Sequence, residues 1–217
     1  TSSSNNALSL AIHVTGGATS NVTGTLIYNV HIIDPGEQAI KINTGPGTYA
    51  DDGRIECSRI ELTNNGRPNI RNGCYTGGVD GHQAMGWVVR LNHIEGFWCD
   101  TGLSEHGVHF WTASRDTLVE RNTIVNCARG IGFGLNDSGA ERIYADDPYP
   151  SVGYIGHYDG IIRNNFIFAD IGTRFDSGIT LDQAHGAQVV HNTVVATSPP
   201  FNCIEWRWDN TDVTLLN

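Results

Sequence analysis

Apolar and polar residues alternate in short bursts along this chain, and the bursts recur. Val89-Arg90-Leu91-Asn92-His93-Ile94, Val119-Glu120-Arg121-Asn122-Thr123-Ile124, Ile162-Arg163-Asn164-Asn165-Phe166-Ile167 and Val189-Val190-His191-Asn192-Thr193-Val194 share one frame. An apolar residue lies three before the Asn and another two after it. Ile55-Glu56-Cys57-Ser58-Arg59-Ile60 fits with Ser58 for Asn, whereas Leu26-Ile27-Tyr28-Asn29 enters the frame but puts His31 at the later apolar position. A second motif follows: Ala39-Ile40-Lys41-Ile42, Gly107-Val108-His109-Phe110, Gly130-Ile131-Gly132-Phe133, Gly178-Ile179-Thr180-Leu181 and Cys203-Ile204-Glu205-Trp206, with Ala11-Ile12-His13-Val14 matching upstream. Its period of two is that of a half-buried strand. The small residue at its head suits a tight corner or close backbone packing.

The polar positions 29, 58, 92, 122, 165 and 192 are separated by 29, 34, 30, 43 and 27 residues. A stacked rung with loops inserted in two of them gives this spread. The pattern therefore predicts an all-β solenoid, a single-stranded parallel β-helix of about six or seven rungs in one domain over residues 1–217. Stacking places like residues about 4.8 Å apart, so the Asn side chains are expected to form a hydrogen-bonded ladder. The insertions fall at residues 64–84 and 136–158, and long loops on a rigid scaffold are where function tends to reside.

Composition narrows the partners. The chain has 39 % apolar and 17 % charged residues, 26 Gly and a net charge of −10. Few charges with many Gly favour strands and turns, and the acidic balance argues against nucleic acid. No apolar run reaches the length of a membrane span, and Thr1–Ser4 lacks signal-peptide character. The five cysteines, Cys57, Cys74, Cys99, Cys127 and Cys203, lack zinc-site spacing. They are expected to be mostly buried thiols, with room for one disulfide.

The repeated Asn-x-Ile followed by Gly-Ile-x-Phe is similar to the right-handed parallel β-helix proteins of the pectate-lyase-like superfamily, over roughly residues 8–217. The resemblance implies a protein that acts on or binds polysaccharides or oligosaccharides, outside the cytoplasm or in a bacterial cell envelope. It does not choose among lyases, hydrolases and adhesins, because that fold carries all of them.

On the second strand the residues flanking the central Ile or Val point outward. Successive rungs then display Lys41, His109 with Trp111, Gly132 with Gly134, Thr180 with Asp182, and Glu205 with Arg207. The two glycines predict a shallow trough in which a sugar stacks on Trp111 and is held by Arg207 and Lys41. Asp182 and Glu205 suit glycoside hydrolysis, with a lyase using His109 or Lys41 as base and Arg207 as stabiliser in second place. No metal ligand set is expected, although Asp146-Asp147 is where calcium would go. Glu105-His106 with Asp100 is a weaker acid/base pairing. The rival class is a non-enzymatic structural or adhesive solenoid whose outer face is merely solvated. Because the repeat breaks off within a motif at residues 213–217, that rival would assemble end to end, or the chain is a fragment of a longer solenoid.

Overall fold

The computed structural model describes residues 8–216, so Thr1–Ser4 lies outside the described residues. The strands assemble into three long sheets of seven, nine and six strands, in which every ladder is parallel and each strand pairs with the equivalent one a rung away. This is a parallel β-helix.

Three apolar columns fill its interior. Ile27, Ile55, Val89, Val119, Ile162 and Val189 stack in register along the nine-stranded sheet. Ile32, Ile60, Ile94, Ile124, Ile167 and Val194 stack along the six-stranded one. The third column, Ile12, Ile40, Val79, Val108, Ile131, Ile179 and Ile204, runs up the seven-stranded sheet, called here the face sheet. Ile40, Ile55, Val79, Ile94, Val108, Ile124 and Ile179 have no exposed surface, and each such side chain contributes about 1.5–3 kcal/mol.

Between the first two columns the Asn ladder forms. Asn92, Asn122, Asn165 and Asn192 each use Oδ1 to accept the backbone N–H of the preceding ladder residue at 3.0 Å, beginning at Ser58. Their Nδ2 groups donate to the carbonyls of Ile55, Val89, Val119 and Ile162 at 2.8–2.9 Å. The residue before each ladder position is left-handed, with φ of 51–57° at Asn29, Cys57, Leu91, Arg121, Asn164 and His191.

This corrects the first frame by one residue. Ile27 is in register with Ile55, so Val30, not Asn29, holds the ladder position and its N–H reaches Ser58 Oγ at 3.2 Å. Asn29 supplies the turn and Ile32 the core residue.

The segment 64–84 is not all loop. Gly77–His82 is a strand of the face sheet, with Val79 between Ile40 and Val108. Its sequence hides this because Gly81 stands where the other rungs carry Val, Ile, Phe, Leu or Trp. The 136–158 insertion is irregular up to the short strand His157–Tyr158. It is strapped down: both Arg142 Nη atoms donate to the Asp51 carboxylate at 2.7 Å, and Tyr144 Oη donates to the Ala113 carbonyl at 2.8 Å.

Cys74 and Cys99 form a disulfide; of the other thiols only Cys127 is buried, and Cys57 and Cys203 are exposed, against the expectation of mostly buried thiols. Trp87 is fully buried, while Trp206, on the inward phase of the last face strand, is 56 % exposed. No helix among the described residues is long and apolar enough to cross a membrane.

Candidate functional site

The outward side of the face sheet is where a merely solvated strand would show its charges to water. Instead the polar residues there are sequestered: Lys41, Asp80, His106, His109, Thr180 and Asp182 are all buried. Outward residues align across rungs as Lys41, Asp80, His109, Gly132, Thr180 and Glu205, with His82 beside Trp111 and Asp182 beside Arg207. The long insertion runs past one edge, where Gln83 and Gln183 donate to the carbonyls of Glu141 and Asp137. Tyr75 and Glu105 precede the strands on the other edge.

At one pole Asp80 is the hub. Its carboxylate accepts from Lys41 Nζ at 2.5 Å, Tyr75 Oη at 3.2 Å and Trp111 Nε1 at 2.8 Å. Burial pushes this carboxyl up, but the hydrogen bond from His82 and the charges of His82, Lys41 and His109 hold it well below the usual range. Lys41 also donates to Tyr75 Oη at 3.0 Å and stands 2.6 Å from His82 Nε2. A lysine so placed positions Asp80. Trp111 lies parallel to His109 at 5.3 Å and meets His82 edge-on at 4.4 Å.

The middle of the face is occupied, not open. His106 folds over Gly132, where a Cβ would stand 2.6 Å from Nε2, and it bonds Thr180 Oγ1 at 2.7 Å. The trough expected from Gly132 and Gly134 is therefore filled by an imidazole. His109 lies alongside at 4.2 Å between ring centres. Its Nδ1 faces Glu105 Oε2 at 3.2 Å and its Nε2 the Gly134 carbonyl at 2.9 Å. Both ring nitrogens therefore face hydrogen-bond partners. Burial, helped by Arg129 and His109, pushes His106 well below the ordinary value and keeps it neutral. Glu105 is raised by burial but held far down by His106 and His109.

The other pole holds Asp182, Glu205 and Arg207. Arg207 pairs with Glu205 through Nη2 and approaches Asp182 Oδ1 with Nε at 3.6 Å. Burial pushes Asp182 up to about 6, with Arg207 opposing and Glu205 adding to the rise. Asp182 Oδ1 and Glu205 Oε2 are buried acceptors without hydrogen-bond partners. From strand spacing and a two-residue offset, the two Cα atoms lie roughly 8 Å apart.

Of the residues expected from the sequence, the structure thus groups Asp182, Glu205 and Arg207 at one pole, puts Lys41 and Trp111 at the other, and sets His109 between them. Asp100 is not part of the set: it pairs with Arg174 on an exposed loop. Trp98 is sandwiched by Arg67 at 3.6 Å and Arg174 at 4.8 Å beside a concavity of about 540 Å³. Asp146 is taken by Arg115 at 2.7 Å.

Sequence reasoning placed Asp80 and His82 in a loop and overlooked Tyr75, Arg129 and the role of His106. Residues 106 and 109 should lie on opposite faces of a regular strand. Here Gly107 and Val108 both turn inward: Val108 is fully buried, and a Cβ on Gly107 would meet Ile124 Cγ2 at 3.0 Å. Both flanking histidines therefore point outward. The small residue that heads each motif was the available signal.

The fold and this face define a parallel β-helix with a sequestered polar track across one sheet. No family model, no curated protein and no solved structure matches the chain.

Proposed function

We propose that this β-helix acts on a polysaccharide as a glycoside hydrolase, with Asp182 as general acid and Glu205 as the second carboxylate. The observation that carries the reading is a pair of buried, unpartnered acceptors, Asp182 Oδ1 and Glu205 Oε2, on two carboxylates that both approach Arg207. Buried polar atoms left unpaired call for an explanation, and a substrate hydroxyl or glycosidic oxygen supplies one.

Two carboxyls with different proton affinities are what acid-catalysed glycoside cleavage needs. Asp182, raised to about 6, holds a proton for the leaving oxygen in mildly acidic solution. Glu205, ion-paired with Arg207, is the second carboxylate, placed to activate water.

The lyase alternative is less well supported, because its candidate bases are engaged. Lys41 is ion-paired with Asp80 and bonded to Tyr75, and both nitrogens of His109 already face hydrogen-bond partners. From Lys41 to Glu205 the polar track crosses five strand intervals, roughly 24 Å at sheet spacing, which suits an extended polymer. The Cys74–Cys99 disulfide supports an oxidising, extracellular or envelope setting.

A panel of neutral, amino and uronic polysaccharides, assayed for new reducing ends, tests the reading. Turnover should vanish in Asp182→Asn and Glu205→Gln while both variants keep the wild-type circular dichroism. A folded wild type that neither cleaves nor binds any polymer would sink the proposal, as would an unsaturated, ultraviolet-absorbing product.

A further inference from the structure

The best-formed ligand geometry on the face is not at the carboxylate pole. Glu105 Oε2, His106 Nδ1 and His109 Nδ1 converge, all within 4.8 Å of one another. Glu105 Oε2 is 3.2 Å from His109 Nδ1 and 3.7 Å from His106 Nδ1. Donor atoms around a tetrahedral zinc, with bonds of 2.0–2.1 Å, sit about 3.3 Å apart. A small inward shift of the three side chains would close such a shell.

The far side of each ring is already fixed. His106 Nε2 meets Thr180 Oγ1 at 2.7 Å, and His109 Nε2 meets the Gly134 carbonyl at 2.9 Å. Metal-ligating histidines characteristically anchor their second nitrogen to such an acceptor, which sets the tautomer and aims the other nitrogen at the ion. A second observation points the same way: His106 Nδ1 is buried and has no hydrogen-bond partner. In the neutral ring with Nε2–H directed at Thr180, that nitrogen is a bare acceptor facing Glu105.

We propose that Glu105, His106 and His109 bind one divalent first-row transition ion through Oε2, Nδ1 and Nδ1. Two imidazoles and one carboxylate favour zinc, manganese, iron or cobalt over magnesium or calcium, which take mostly oxygen ligands. Three protein ligands leave a coordination position open, the pattern of a reactive rather than a structural site. Binding uses the Nδ1 lone pair of His109, so a proton held there leaves to solvent. Arg129, with Nη2 3.6 Å from Glu105 Oε2, is a nearby cation that opposes the ion; its Nε is held by the Ser104 carbonyl at 3.0 Å.

Chelator-treated full-length chain is titrated with zinc chloride by calorimetry, and separately loaded with cobalt(II) for its visible spectrum. Neither readout needs a substrate, so the proposal stands or falls apart from the hydrolase reading. One zinc per chain is expected, with nitrogen–oxygen cobalt bands. Glu105→Gln, at the rim of the site, should weaken zinc at least ~100-fold, and Thr180→Val, which touches only the outer nitrogen of His106, about 10–100-fold. Cys57→Ser with Cys203→Ser should change nothing. The site is refuted if the wild type shows no saturable one-to-one binding. It is equally refuted if Glu105→Gln and Thr180→Val, folded by circular dichroism, bind as the wild type does, or if thiolate charge-transfer bands appear and vanish with the two cysteines.

Discussion

Asp182 and Arg207 face each other across the last two strands of the face sheet, with Nε 3.6 Å from Oδ1. The charges attract, but no hydrogen bond forms, and burial outweighs the attraction. The carboxyl rises from 3.8 to about 6. An acid whose folded value is raised binds its proton more tightly in the native state, so native stability falls as pH rises from about 4 to about 6. Allowing for solvent screening of this partly accessible group, the loss is about 1–2 kcal/mol. Asp182→Asn should remove that slope from a plot of melting temperature against pH and be the more stable protein at pH 7. If Asp182 is the general acid, wild-type turnover should fall above pH 6; a rate rising through that range excludes it.

Lys41 and Asp80 form a buried ion pair at 2.5 Å. Removing one member leaves the other charged and unsolvated, at a cost of about 3–5 kcal/mol. Lys41→Met is therefore expected to lose that much stability at pH 7 in urea melts. Asp80 is held below its ordinary value in the native protein, so its contribution is present above about pH 4 and lost as pH falls. The deficit of the variant should shrink toward acid, where Asp80 takes up a proton. An equal deficit at pH 7 and pH 3 would show that the pair has no electrostatic role.

The ladder makes a graded prediction. Asn122 is buried and serves Asn92 and Asn165 as well as the Val89 carbonyl, whereas Asn192 is half-buried and near the end of the stack. Asn122→Ala strands the buried N–H of Asn92, costing about 2–4 kcal/mol. Asn192→Ala should cost roughly half as much. Equal losses would mean that the ladder residues act through turn propensity alone.

Much of the fold was legible because its signals are local and repeated. An Asn three after a core Ile or Val, and a small residue before an alternating strand, each mark one corner of one rung. Legibility failed where a rung departs from the average. Gly81 hid the Gly77–His82 strand, and with it Asp80 and His82, because a glycine carries no apolar signal. The paired inward turn at Gly107-Val108 hid His106, because strict alternation sends it to the core. The acidic pair Asp182 and Glu205 was legible, being on regular strands. What alternation does not report is burial of an outward face, which depends on Tyr75, Glu105 and the long insertion arriving from elsewhere in the chain.

The disulfide offers the last test. Cys74 and Cys99 are 25 residues apart and tie the segment before Gly77–His82 to the one before His106–Trp111. Those segments carry Tyr75 and Glu105, which edge both the Asp80 hub and the histidine cluster. Closing a loop of that length stabilises by about 3 kcal/mol through the unfolded state. Cys74→Ser with Cys99→Ser should lower the urea midpoint accordingly while leaving Asn122 and its ladder amides protected in hydrogen exchange. Loss of protection in the ladder itself would show that the bridge holds the helix together rather than the rim of its face.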